Sequence, residues 1–467
     1  MANKDGKIGL LDTTTILVGG MIGSAIFSLS GVTLGNAGAS AILSWVVAGL
    51  ILLSYGLICA ELCSTYPNSG GVFLFPAKAF AKDGKENRLW GWISAWAYLF
   101  GCVGGLVFSA SYVATYLGIA VPALQVPNDP YMSPKPEWAL IIGIGTVLIC
   151  GILNIFKIAV TGKANTALTI ILAATMIIFV IVAFTAKTPE GVTAFNGANF
   201  SPFFNGTQGG AGFFTAIPVA MLAYGSIVAA AFMVGEIRDP NKTVPKAMSI
   251  AMAITVGLYV LVMVATVGLI SIQMLNETHM TYTPQFGAAW MTLGHITWLP
   301  KLVSAAAVLG LLTTALVLVI LAARTLQAAA FAGVLPKFIA KNNEKTGIPL
   351  NATIIVTVLG VILVAFPSLT TFIINFGGLS NALVVVALCV TVIKARSTKA
   401  ETGFKAPGGN VLPIVTMAIL VACYIIGIMN DVKAGTYDIL KLLIATVGYF
   451  AVGLIIYFVC TKAVKSE

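Results

Sequence analysis

The sequence predicts an all-α integral membrane protein, a single membrane domain over 1–467 with twelve spanning helices. Three observations predict it. Of the 467 residues 58% are hydrophobic and 9% charged, with a mean hydropathy of +0.98, whereas soluble domains carry roughly 25% charged residues. Apolar stretches of about 20 residues, the length that crosses a bilayer, recur along the whole chain. The basic residues crowd into alternate connections between those stretches.

The first stretch, 10–36, begins near Ile8 with neither a strongly basic leader nor a convincing cleavage site, and reads as a retained helix, not a signal peptide. Eleven more follow at 39–63, 90–118, 138–156, 163–186, 212–235, 246–272, 299–332, 350–366, 369–394, 411–430 and 438–461. An even number puts both termini on one side. If that side is the cytoplasm, the inside segments hold 21 of the 26 basic residues, and the outside keeps Lys135, Lys187, Lys301, Lys433 and Lys441. The positive-inside rule then orients the chain in a cell membrane with both termini cytoplasmic. The longest outside connections, 119–137, 187–211 and 273–298, are rich in Pro, Asn, Gly and Thr and are expected to carry short surface helices.

The net charge of +10 thus reads as membrane orientation, with the lipid bilayer and not nucleic acid as the partner. All seven cysteines fall in or at the ends of apolar runs, none in C-x-x-C spacing, and read as small buried hydrophobes. The two histidines, His279 and His295, both fall in an outside connection. No constellation of nucleophile, acid and base or metal ligands is present, so neither an enzyme nor a metal or other cofactor is expected.

Residues 19–27 read GGMIGSAIF. Gly19, Gly20 and Gly23 fall within five positions of a helix, each costing about 1 kcal/mol relative to Ala. The sixth stretch contains AYGSIVAAA, with Gly225 and Ser226 at a similar depth. Two interrupted spans five apart point to an inverted repeat of five helices plus five, with discontinuous helices 1 and 6 and a binding site where they unwind. Backbone groups freed there need partners in hydrocarbon, and a polar ligand supplies them. The competing reading is that the glycines only let helices pack closely.

These residues resemble the amino acid, polyamine and organocation superfamily over nearly the full chain. Ile22-Gly-Ser-Ala-Ile-Phe27 resembles its I-G-S-G-I-F, and Ala60-Glu-Leu62 with Pro67-Asn-Ser-Gly-Gly71 its A-E-L and P-x-S-G-G. Glu236-Ile-Arg-Asp-Pro240 with Pro245-Lys-Ala247 is similar to E-x-x-N-P and P-x-A, and Arg324 with Gly333-Val-Leu-Pro-Lys337 to R and G-x-x-P-K. The resemblance implies a LeuT-like fold, with helices 1–10 (about 8–272 and 299–394) in two inverted repeats and helices 11–12 (411–461) appended. It implies secondary active transport of an amino acid, by a permease or exchanger, through alternating access to a central site. There the N–H groups of Gly23, Ser24 and Ala25, with the Ser24 hydroxyl, would take the carboxylate at a positive half-helix end. Carbonyls near Met21, Leu222, Ala223 and Gly225 would take the ammonium. Apart from the resemblance, Ile22, Leu222, Ile227 and Leu318 offer an apolar wall that suits aliphatic or aromatic side chains, and ordinary packing accounts for such residues equally well.

The chain also departs from that pattern. Ala25 replaces the second glycine of the motif and narrows the space beside the carboxylate. Leu222 aligns with the usual aromatic gate and offers no cation–π face. Tyr98 either contacts the ligand or packs between helices. Leu172 aligns with the helix-five Lys of proton-coupled members, and no ionisable residue lies between Thr166 and Phe184, which favours exchange or facilitated transport. Sodium coupling through helix-one carbonyls and the hydroxyls of Thr313 and Thr314 stays open, without positive support. Glu61 and Glu236 fall near inside ends of spans and are expected in gating or structural ion pairs with Arg238 or a neighbouring Lys. No acid falls at mid-depth, so a polyamine would lack its counter-charge and a zwitterion with a neutral side chain is expected. A polyamine or amine antiporter and a non-transporting amino acid sensor are the alternatives.

Overall fold

A computed structural model describes residues 8–23, 25–67, 70–127, 129, 132–156, 162–343, 347–366, 370–433 and 439–466. Those residues are helix packed upon helix. In hydrocarbon every backbone N–H and C=O must be satisfied within the protein, and a helix does so inside its own segment.

The first predicted span is two half-helices, α1 (Leu10–Met21) and α2 (Ser30–Ala37), followed by α3 (Ala41–Thr65) and the short α4 (Gly71–Ala79). The third to fifth predicted spans are α5 (Arg88–Ala120), α6 (Pro136–Ile155) and α7 (Gly162–Thr185). The sixth is again divided, into α8 (Gly209–Met221) and α9 (Ala229–Phe232), and α10 (Pro240–Leu269) follows it. The long connection after α10 folds into α11 (Ile272–Glu277) and α12 (Pro284–Leu293). The chain then runs through α13 (Trp298–Phe331), α14 (Leu350–Val364), α15 (Thr370–Ser397), α16 (Val411–Lys433) and α17 (Ile439–Ser466). Among the described residues, ten helical stretches are long and apolar enough to cross a membrane. The first of these, Leu10–Thr65, contains two predicted spans, and α14 is a shorter apolar helix. The three long connections expected outside each carry a short helical turn, at Pro122–Leu124, Gly197–Phe200 and α11 with α12.

Local chemistry explains several boundaries. Pro136, Pro240 and Pro284 open α6, α10 and α12, where the missing N–H has no intrahelical partner to lose and φ is already helical. Ser271 caps α11 by accepting from the Met274 N–H at 3.2 Å. Asp239, the N-cap of α10, takes left-handed φ 44°, a conformation that short polar side chains adopt more readily than most.

Helix α5 runs through the interior and packs against α4, α6, α13, α14 and α15. At the periphery, Leu443, Val447, Ile455, Phe458 and Val459 of α17 are exposed. An apolar face of that extent has hydrocarbon as its solvent.

Candidate functional site

Helix α1 ends where Ile22 turns extended (φ −71°, ψ 99°), its N–H still reaching the Val18 carbonyl. The chain resumes as a π-helical turn at Ala25–Leu29 before α2. Such turns inside helices gather at functional sites. Because residues 22 and 23 are not helical, the first N–H groups of the second half lack carbonyls four residues back and point their partial positive charge at the break. Glycine is required by close approach at two positions. A Cβ on Gly23 would stand 1.7 Å from Thr314 Oγ1 and 2.7 Å from the Gly310 carbonyl oxygen, and one on Gly20 would stand 2.9 Å from Ser226 Cβ. The glycines therefore bring the break against α13 and the sixth span, as the packing reading requires. Ser24 lies outside the described residues.

Two tyrosines from other helices satisfy carbonyls of the broken segment. The Tyr259 hydroxyl of α10 donates to the Met21 carbonyl, and the Tyr116 hydroxyl of α5 to that of Phe27. Tyr259 is itself held by rings, with Trp45 at 5.2 Å and Tyr224 at 5.4 Å between centroids. This buried cluster ties the break in helix one to the interruption in helix six. The sixth span does not unwind as the first does. Leu222–Val228 tightens into seven residues of 3₁₀ helix, which keeps hydrogen bonds three residues apart but with poorer geometry. Runs of that length are uncommon and mark hinges.

Between the two interruptions, α5, α13 and α15 lies a cavity of about 100 Å³, well beyond the roughly 10–15 Å³ that one water needs. It is lined by Met21, Ala25, Tyr98, Leu222, Ala223, Gly225 and Leu318 from the sequence-based set, together with Gly20, Gly101, Cys102, Phe108, Ser226, Thr314, Gly377 and Asn381 among others. Gly23, Ile22 and Ile227 are buried but do not line it. Ile227 packs instead toward α3, where a Cβ on Gly56 would meet its Cγ1 at 3.0 Å. Among the described residues no acidic or basic side chain lines the cavity. Its polar groups are hydroxyls, the Cys102 thiol, one amide and backbone. The Thr314 Oγ1 is buried with no hydrogen-bond partner among the described residues. Sequence reasoning placed Thr314 only as an ion-site hydroxyl and missed Asn381 and Phe108 altogether. Asn375 and Asn381 are two amides inside one apolar span, and that pair was the available signal for Asn381.

Aromatic contacts flank the cavity at two levels along α5. Tyr98 stacks on Phe232, with centroids 5.5 Å apart and planes 17° apart. Ten residues later, about 15 Å along the helix, Phe108 lines the cavity and packs on Tyr112 at 4.4 Å, which meets Tyr282 at 5.6 Å. Beyond Tyr112 opens a second cavity of about 440 Å³, lined by Tyr112, Tyr282 and His279.

Both expected ion pairs have partners other than Arg238. Arg324 Nη2 bonds Glu236 Oε1 at 2.9 Å, and Arg396 grips Glu61. Sequence adjacency pointed to Arg238 or a neighbouring Lys, but the arginines that reach the two carboxylates come from α13 and α15. Leu172, on α7, is fully buried. Among the described residues no group of three or more His, Cys, Asp or Glu is placed to hold a metal ion.

Comparison with known proteins sets this geometry in a family. A sequence model of the amino acid permease family matches residues 8–459. The branched-chain amino acid permease BcaP of Bacillus subtilis (strain 168) is 25% identical over 468 residues, covering 98% of this chain and 93% of BcaP. The serine/threonine exchanger SteT of the same organism is 24% identical over 289 residues, 60% of each chain. Its methylthioribose transporter is 23% identical, covering 97% of this chain and 93% of its own length.

Proposed function

The chain belongs to the amino acid permease family, and on that premise we propose that it moves a zwitterionic amino acid with a neutral side chain across the cell membrane by alternating access. It is a multi-pass membrane permease, not an enzyme. In our reading it is a secondary active transporter with a LeuT-like fold, twelve spans over one domain and both termini cytoplasmic. The observation that carries the reading is the uncharged cavity at the break in helix one. A net charge would be costly there without a counter-charge, whereas a zwitterion brings two charges that opposed backbone dipoles can meet. The N–H groups at the start of the second half-helix, near Gly23, Ser24 and Ala25, take the carboxylate in this proposal. Carbonyls of Met21, Leu222, Ala223 and Gly225 take the ammonium, and Tyr98, Leu222 and Leu318 wall the side chain.

The relatives' names support amino acids as the substrate class, with branched-chain and hydroxyl side chains both represented. Exchange or facilitated transport is proposed over proton coupling, since Leu172 offers no titrating group. No cofactor enters the reading.

Counterflow in proteoliposomes tests it: protein loaded with one amino acid should accumulate the same labelled amino acid from outside, without a sodium or pH gradient. Failure to exchange any internal amino acid for its external counterpart overturns transport and leaves the sensor reading. A strict need for sodium would overturn exchange or facilitated transport without ion coupling.

A further inference from the structure

Most glycines within the helices near the cavity have a packing reason. A Cβ on Gly91 would stand 2.7 Å from the Phe73 carbonyl oxygen, one on Gly105 2.8 Å from Leu318 Cδ1, and one on Gly378 3.2 Å from the Tyr424 hydroxyl. Three others have none. Nothing lies within 4 Å of the Cβ position at Gly101 or Gly377, and at Gly225 only Asn381 Nδ2 does, at 3.9 Å. These three all line the central cavity. Gly145, Gly257 and Gly448 also face open space within helices, but Gly257 and Gly448 are exposed, and Gly145, half-buried on α6, does not line the cavity.

A glycine weakens a helix interior relative to alanine. Where no neighbouring atom occupies the space of the missing methyl, close packing does not account for that weakness. At positions 101, 225 and 377 the space belongs to the cavity.

We propose that Gly101, Gly225 and Gly377 form the side-chain recess of the substrate site, and that this recess selects an amino acid with a bulky apolar side chain, branched aliphatic or aromatic, over alanine. The proposal rests on the amino acid reading of the cavity and adds the substrate class. A separate observation points to a ligand there: Thr314, 8% exposed, lines the same cavity with its Oγ1 unpartnered among the described residues. A buried hydroxyl is normally satisfied, and a ligand's polar end completes it while the apolar end fills the recess. Leu222, Leu318 and Phe108 supply apolar walls. A large side chain gains burial against them, whereas a methyl leaves wall atoms without contact partners.

The test is counterflow by the full-length protein in proteoliposomes with labelled leucine, phenylalanine and alanine, for wild type, Gly101→Ala, Gly377→Ala and Gly257→Ala. Wild type should prefer leucine or phenylalanine. Gly101→Ala and Gly377→Ala should each shift the bulky-to-alanine ratio about tenfold toward alanine, the scale on which an apolar pocket senses one methyl group. Gly257→Ala should keep the wild-type ratio. Wild-type preference for alanine, or an unshifted ratio in both cavity variants, overturns the recess while leaving amino acid transport standing. If wild type exchanges no amino acid, the underlying reading fails and the recess with it. Size-exclusion profiles accompany each variant, and collapse of both Gly101→Ala and Gly377→Ala would contradict the proposal by showing no spare volume at those positions.

Discussion

The guanidinium of Arg396 closes on the carboxylate of Glu61 with two hydrogen bonds, Nε to Oε1 at 2.7 Å and Nη2 to Oε2 at 2.5 Å. Glu61 is 2% exposed, and its Oε2 also accepts from the Ala406 N–H at 2.7 Å. Three residues on, Ser64 Oγ accepts from the N–H groups of Gly403 and Phe404 at 2.7 and 2.8 Å. The connection that follows α15 is thereby strapped across the end of α3.

Removing one partner of a buried pair leaves an uncompensated charge, at a cost of about 3–5 kcal/mol. Arg396→Met should therefore lower the apparent melting temperature sharply, and Glu61→Gln added to it should recover part of the loss. Thermal unfolding of the two single variants and the double variant measures the coupling. Purely additive losses would mean that the pair is not a unit.

Tyr259→Phe takes the hydroxyl from the Met21 carbonyl while leaving the ring against Trp45. A buried acceptor that loses its donor costs about 1–3 kcal/mol, here at the point where the proposed site meets the end of α1. The half-concentration for exchange should rise about tenfold, with the protein still monodisperse. An unchanged value would separate the geometry of the break from substrate binding.

Ala25 is 5% exposed and lines the cavity at the start of the π-helical turn. Ala25→Val adds two methyls to that wall at little cost to the helix, a few tenths of a kcal/mol in propensity up to roughly 0.7. Exchange should be abolished, and a substrate that raises the thermal stability of wild type through binding the folded state should no longer do so. Normal uptake by this variant would remove Ala25 from the site.

The broken helix was legible because three glycines in five positions contradict the helix around them, and that contradiction needs only local sequence. The lining of the cavity was legible in part. Ile22 and Ile227 lie beside cavity-lining Met21 and Ser226, yet neither lines the cavity: Ile22 has left the helix in an extended conformation, and successive positions of the 3₁₀ stretch that holds Ile227 point about 120° apart. In this chain apolar residues face both lipid and protein, so no polar stripe reveals the rotation of each helix. Asn381 and Phe108 were missed for the same reason. The Glu61–Arg396 pair joins residues 335 apart, and no local pattern announces a contact made by the return of the chain.

Arg324 is hydrogen-bonded to the residue whose ring stacks on cavity-lining Tyr98. Its Nη1 donates to the Phe232 carbonyl at 2.8 Å and its Nη2 to Glu236 Oε1 at 2.9 Å, while the Phe232 ring stacks on Tyr98 and fills the space over Gly71. The two bonds are unequal. The pair with Glu236 is partly exposed, with side chains 24% and 49% accessible, and such pairs contribute about 0–1 kcal/mol. The charged bond to the buried Phe232 carbonyl contributes about 1.5–3 kcal/mol, enough to shift a balance between closed and open forms of the Tyr98–Phe232 stack about tenfold or more. Arg324→Gln should therefore expose the cavity from the end that carries Ile8, and Glu236→Gln should do so much less. Cys102 lines the cavity and supplies the probe: its labelling by a membrane-impermeant thiol reagent should accelerate in Arg324→Gln and vanish when Cys102→Ser is added. Equal acceleration in both variants would transfer control of access to the surface pair, and no acceleration in either would mean that the Tyr98–Phe232 stack controls it alone.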